Sequence, residues 1–137
     1  MTELARNLIR EHGLKATPQR ISIYDSMVQL EHASADMVFE KVKEDFPKVT
    51  VATIYNVLDS FCSCGILARR CTPTNKMFFD VVTENHCHFY NIDNETFTNI
   101  GATSVTEVVR SYLALRGYEI TSIDVQVNGR VAAKKRK

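Results

Sequence analysis

The chain has 137 residues, 45% of them hydrophobic, with 17 lysines and arginines against 16 acidic residues and a formal net charge of +1. That composition excludes a disordered chain and can bury the core of one ordinary domain or two small ones, and no apolar run approaches the roughly 20 residues of a membrane span. Charged and apolar residues alternate from Met1 to Glu11 without a signal-peptide core, so a cytoplasmic protein is expected, with Cys62, Cys64, Cys71 and Cys87 as free thiols.

A charge near neutrality sits below the balance of many DNA-binding domains, so distribution matters more than the sum. Lys15, Arg20, Lys48, Arg69, Arg70 and Lys76 are spread through the first half, while Glu31, Asp36, Glu40, Glu44 and Asp45 concentrate in one segment. Lys134, Lys135, Arg136 and Lys137 end the chain as a basic run of the kind that is solvated and disordered.

Leu4, Leu8 and Ile9 recur at helical spacing, and Gly13 ends that first helix. Thr17 and Pro18 open a second with Ile21, Tyr24, Met27 and Val28 as its apolar stripe, running to about Leu30. Ser34 caps a third that carries Met37, Val38, Val42 and Phe46 inward and stops before Pro47. From Thr50 to Gly65 a fourth places Ile54, Val57, Leu58 and Phe61 on one face and leaves Thr53, Tyr55, Asn56 and Asp59 on others, so one face packs and another is free to read a surface. Residues 66–70 and 76–82 then read as two strands around Thr72-Pro73-Thr74-Asn75. Helices followed by a hairpin make a winged helix-turn-helix, with Arg69 and Arg70 on the wing placed to meet phosphates.

Past Thr83 the pattern changes. Residues 88–92 and 95–100 are strand-like around the turn pair Asp93-Asn94. Thr103 or Ser104 caps a helix with the stripe Val105, Val108, Val109, Tyr112 and Leu113, stopped by Gly117, and residues 118–127 alternate as a last strand with a shift of register near Ser122. The expected class is α+β: a winged helix-turn-helix DNA-binding domain over 1–83, a small α/β dimerisation domain over 84–130, and a basic tail over 131–137. So small a sheet favours pairing with a second copy.

His86 and His88, two residues apart, point to the same side of an extended strand, as metal ligands must. Such a pair alone belongs more often to packing or surface than to metal. With Asp80 it makes two imidazoles and a carboxylate, a set that suits Fe(II), Mn(II) or Zn(II).

The runs Gly13-Leu14-Lys15-Ala16-Thr17-Pro18-Gln19-Arg20, His32-Ala33-Ser34-Ala35-Asp36 and Ala52-Thr53-Ile54-Tyr55, with Asp80 and His86-Cys87-His88, resemble the ferric uptake regulator family across nearly the whole chain. The resemblance implies a homodimeric metal-dependent repressor that binds palindromic operators in double-stranded DNA, its winged-helix domain joined by a hinge to an α+β dimerisation domain. It implies that Lys15 approaches a minor groove, Arg20 a phosphate, and Thr53 and Tyr55 the bases of the major groove. Asn56 stands where the family usually has arginine, which exchanges a charged contact for an amide suited to adenine. His32 would join Asp80, His86 and His88 as a metal ligand, and Asn99 stands where a further carboxylate is usual, offering only a neutral carbonyl. Asn91 and Asn94 occupy the places of the first C-x-x-C of a structural zinc site, so that zinc is not expected.

Fe(II) or Mn(II) is thus the expected ion, with Zn(II) as the alternative. A regulator of the same fold that answers to haem, redox state or no metal is the competing reading. An Fe(II) oxygenase built on Asp80, His86 and His88 would lack the many-stranded barrel such a site usually occupies and would leave the first half of the chain unexplained, so no enzyme is expected.

Overall fold

The computed structural model describes residues 2–81 and 85–133, leaving aside the side chains of residues 2, 85, 86, 102 and 103. In chain order the elements are α1 (Thr2–Glu11), α2 (Pro18–Leu30), β1 (His32–Ala33), α3 (Ala35–Val42), α4 (Val51–Ser63), β2 (Leu67–Arg70), β3 (Phe78–Val81), β4 (Asn85–Asn91), β5 (Thr96–Asn99), α5 (Ala102–Ala114) and β6 (Ile123–Gly129). They form an α+β chain of two units, one built from Met1–Cys71 with Asn75–Val82 and the other from Thr72–Thr74 with Thr83–Lys137. The expected domain boundary at 83 and 84 and the basic run at 134–137 lie outside the described residues.

Side-chain caps start three helices of the first unit. The hydroxyls of Thr17, Ser34 and Thr50 accept from the backbone N–H of Arg20, Met37 and Thr53 at 3.2, 3.4 and 3.1 Å, satisfying amides that the helix itself leaves without acceptors. Helix α3 ends at Val42 rather than near Phe46, and the Asp45 amide then returns to the Val42 carbonyl in a tighter i−3 turn. Helix α2 lies against α1, α3 and α4 and therefore buries Ile23 as well as Ile21 and Met27, whereas Tyr24 and Val28 of the expected stripe are only partly covered. In α1 the inward residues are Ala5 and Ile9, and Leu4 points out at 72% exposure; Met37 of α3 is likewise outward. Ile54, Leu58 and Phe61 of α4 are fully buried beside Val38 and Val42, as the spacing of the fourth helix predicts.

The wing is a three-stranded antiparallel sheet in the order β1-β3-β2. Strand β1 has no sequence signature of its own; Glu31, at φ 65°, ends α2 and swings the next two residues alongside β3. Strands alternate faces, and here the two faces have different partners. Ala33, Phe79 and Leu67 are buried in the helical core. The register sets His32 opposite Asp80 and Asp80 opposite Ala68, so His32, Asp80, Ala68 and Arg70 share the other face.

In the second unit β4 is central, antiparallel to β5 and parallel to β6. Helix α5 packs on β4 and β6, with Val105, Val109 and Leu113 part-buried and Val108, Tyr112 and Leu115 outward. It begins at Ala102 with Gly101 as a cap that gives no side-chain bond, one turn earlier than capping by Thr103 or Ser104 implies. Residues 118–122 are not strand: the Tyr118 N–H returns to the Leu113 carbonyl to close α5, with Gly117 at φ 87°, so pairing begins only at Ile123. Among the described residues no helix is long and apolar enough to cross a membrane.

Two outcomes follow from the packing of α4. Phe61→Ala removes a fully buried ring and is expected to lower the unfolding free energy by about 3–5 kcal/mol in urea titrations. Burial first, then the carboxylate of Asp80 and the neighbouring Cys64, push the Cys62 thiol up to about 11. Exposed Cys71 should therefore react with iodoacetamide well before Cys62 at pH 8, and Cys62 labelling should climb about tenfold per pH unit toward pH 10, as mass spectrometry of the alkylated peptides will read.

Candidate functional site

Sheet pairing, rather than nearness in sequence, brings the first metal-type donors together. His32 enters on β1 and Asp80 on β3, directly across the ladder, with an imidazole nitrogen and a carboxylate oxygen within 4.8 Å of one another. Asp80 is 1% exposed, and a carboxylate so placed needs a compensating charge. Arg70 supplies one: its Nε donates to Asp80 Oδ2 at 2.8 Å, with both side chains buried.

This corrects one expectation. Arg70 is turned away from solvent into the ion pair, so it does not offer its guanidinium to a phosphate as the wing reading requires. The cause is the register, since Arg70 lies two residues beyond the residue that faces Asp80 and so on the same side of the sheet. Its neighbour Arg69 points to the other face, where it stays exposed and forms a salt bridge with Asp59 of α4.

The remaining metal-type donors lie in the second unit. His88 is buried on β4, paired in register with Asn99 of β5 and Gln126 of β6, and the Phe97 ring stands edge-on to it with centroids 6.0 Å apart. Asn99 is exposed and occupies the same side of the sheet as His88, its amide the only polar function it can offer. The backbone of His86 lies in β4 opposite Asp124, but its side chain is outside the described residues. Cys87 is buried and alternates to the side away from His88. Asn91 and Asn94 have a different use: Asn91 Oδ1 accepts from the Asp93 amide at 2.9 Å and Asn94 Oδ1 from the Thr96 hydroxyl at 2.6 Å, so both asparagines hold the β4–β5 turn.

Two imidazoles and a carboxylate fit a borderline divalent ion such as Fe(II), Mn(II) or Zn(II) chemically, and a neutral amide adds an oxygen without charge. Among these candidate donors Asp80 alone carries a formal negative charge.

The face expected to meet DNA is exposed along α4. Tyr55 is 43% exposed, Asn56 is exposed and Thr53 half-buried, while the opposite side of the helix is sealed in the core. Thr53 Oγ1 lies 3.0 Å from Thr50 Oγ1, which ties its hydroxyl to the cap. The Tyr55 ring rests edge-on against Phe79, centroids 6.1 Å apart, so an exposed aromatic is fixed by a buried one. Lys15 is exposed, and Arg20 donates from its guanidinium to the Lys15 carbonyl at 2.8 Å, which holds the loop that presents the lysine. Sequence reasoning missed Phe79 as the support of Tyr55 and Arg70 as the partner of Asp80; the hairpin register, once drawn, places both.

A family model described as the ferric uptake regulator family matches residues 11–128. The chain is 27% identical over 122 residues to the peroxide-responsive repressor PerR of Staphylococcus aureus, covering 88% of this chain and 82% of that repressor. It superposes on the ferric uptake regulator of Pseudomonas aeruginosa solved with manganese with a TM-score of 0.79 at 22% identity, covering 95% of this chain and 99% of that one. With the Francisella tularensis ferric uptake regulator solved with iron the TM-score is 0.67 at 26% identity, over 89% and 93% of the two chains. Winged helix, small α/β unit and a family match spanning both make this chain a member of the ferric uptake regulator family, whose members are metal-responsive transcriptional regulators rather than enzymes.

Proposed function

We propose that this chain is a cytoplasmic, homodimeric repressor that binds palindromic operators in double-stranded DNA when a divalent metal is bound. The proposed ion is Fe(II) or Mn(II), with Zn(II) as the alternative, held by His32, Asp80, His86 and His88 with Asn99 lending a neutral oxygen. The observation that carries this reading is the pairing of His32 with buried Asp80 across β1 and β3, a donor pair that only the register of the sheet creates. Relatives solved with manganese and with iron lend support. When bound, the ion supplies a positive centre that ties donors on separate strands together. This chain's part is to present the His32 imidazole and the Asp80 carboxylate from a sheet whose other face is anchored in the helical core. Joining His32 and Asp80 of the winged-helix domain (1–83) to His86 and His88 of the dimerisation domain (84–130) would fix the spacing of two reading helices against two half-sites.

In this reading α4 enters the major groove with Thr53, Tyr55 and Asn56, Lys15 reaches a minor groove, and Arg20 and Arg69 lie toward the backbone. The outward face of α5, Val108, Tyr112 and Leu115 at 70%, 57% and 86% exposure, meets the same face of a second copy. The ion pair of Arg70 with Asp80 favours a second reading, since it neutralises the carboxylate without metal: a regulator of the same fold that answers to haem, redox state or nothing.

Gel shifts on an operator selected from random sequence separate the two, with chelator in one arm and Fe(II), Mn(II) or Zn(II) in the others. The first reading expects at least tenfold tighter binding with metal; equal binding in every arm moves the assignment to the second. Lys15→Ala and Tyr55→Ala should each weaken operator binding by about tenfold or more with the circular dichroism spectrum unchanged. Leu115→Glu combined with Val108→Glu should convert a dimer to a monomer in analytical ultracentrifugation, and a variant that still sediments as a dimer would remove α5 from the interface.

A further inference from the structure

We propose that Arg70 is a resident counter-cation that competes with divalent metal for the charge of Asp80, so that the guanidinium weakens metal loading. This inference rests on the reading of His32 and Asp80 as metal donors. Both partners of the pair are almost completely out of water, with side chains 5% and 2% exposed and an Nε–Oδ2 separation of 2.8 Å. A bond of that length between buried full charges is strong in a medium of low dielectric, and breaking it uncovers a buried charge. Arg70 cannot escape by losing its proton, because a guanidinium stays protonated throughout the range in which proteins fold.

The location makes the competition direct. His32, Asp80 and Arg70 come from three adjacent strands and lie on one face of one sheet, the face not occupied by the helical core. An ion drawn to His32 and Asp80 therefore meets a carboxylate whose charge is already answered. The rest of the proposed donor set offers nothing to offset that, since His86, His88 and Asn99 are neutral ligands and Asp80 is its single anion. The adjacent Arg69 shows what an arginine on this wing does when it points the other way: it stays exposed and pairs with Asp59.

The prediction concerns charge, so two variants of like hydrogen-bonding ability separate it from packing. Arg70→Gln retains a donor toward Asp80 without charge, and Arg70→Lys retains the charge. Full-length wild type and both variants, stripped with chelator, are titrated with Mn(II) and with Zn(II) by calorimetry, and their melting temperatures are taken with and without each ion. Arg70→Gln should bind at least tenfold more tightly than wild type, melt lower without metal and gain more on adding it, whereas Arg70→Lys should stay near wild type. A folded Arg70→Gln that binds equally or more weakly overturns the proposal and makes Arg70 a support for Asp80. Should Arg70→Gln fold only with metal present, the competition predicts that it retains metal against a chelator that strips wild type, and equal loss from both overturns it. An Asp80→Asn control distinguishes failure of the underlying reading: if wild type takes up no more metal than Asp80→Asn, the metal assignment itself fails and the competition falls with it.

Discussion

A carboxylate held out of water at Asp80 is the constraint on which the wing and its neighbours depend. Left without a cation it would cost several kcal/mol, enough to matter against the total stability of a domain this size. The chain meets the requirement through sheet register: β2 brings Arg70 to the carboxylate and β1 brings His32 across from it. The short strand β1 exists only by pairing with β3, so the site and the third strand of the sheet are specified together.

The same strand links that chemistry to the face proposed to meet DNA. Phe79 precedes Asp80 and points to the opposite side, into the helical core and against the ring of Tyr55. A displacement of β3 that changes how Asp80 is neutralised therefore moves the support of the exposed tyrosine, one residue away. Interiors packed at crystal density pass on such displacements instead of absorbing them. Thr50 caps α4 at its start, and Gly65, at φ 89°, turns the chain away after its last turn.

Helices were legible in the sequence wherever a cap and a period agreed. Thr17, Ser34 and Thr50 cap as their residue types require, because the interaction involves only the first turn of the helix they start. What failed depended on neighbours distant in sequence. Helix α2 is surrounded on several sides, so its apolar period predicts Tyr24 and Val28 while burial selects Ile23. Strand β1 is two residues long and carries no pattern, and Arg70 looks like any wing arginine until the hairpin is paired. The tail of the expected last strand lost its first half because Tyr118 spends its amide on closing α5. His32, Asp80 and His88 could be picked out as donor types, but only the register made a pair of the first two.

The second unit holds its hairpin mainly with neutral groups. Its β4–β5 turn is held by the side chains of Asn91 and Asn94 and by backbone at φ 55° in Glu95, and Arg130 adds an exposed ion pair to Asp93 at 2.9 Å. Exposed pairs of this kind contribute at most about 1 kcal/mol, so they set the turn's shape more than the unit's stability. Three strands and one helix bury few large side chains, among them Tyr90, whose hydroxyl lies 2.7 Å from that of Thr74. With Val108, Tyr112 and Leu115 left outward, much of the apolar surface that could stabilise this unit is not used within one copy. The proposed donor set, with Asp80 as its single anion, has the same economy: imidazole nitrogens dominate it, and along the divalent series nitrogen-rich sites hold Mn(II) less tightly than Fe(II), and Fe(II) less tightly than Zn(II). Charge does not separate ions that are all divalent, so discrimination at such a site rests on coordination geometry and on which ion is available.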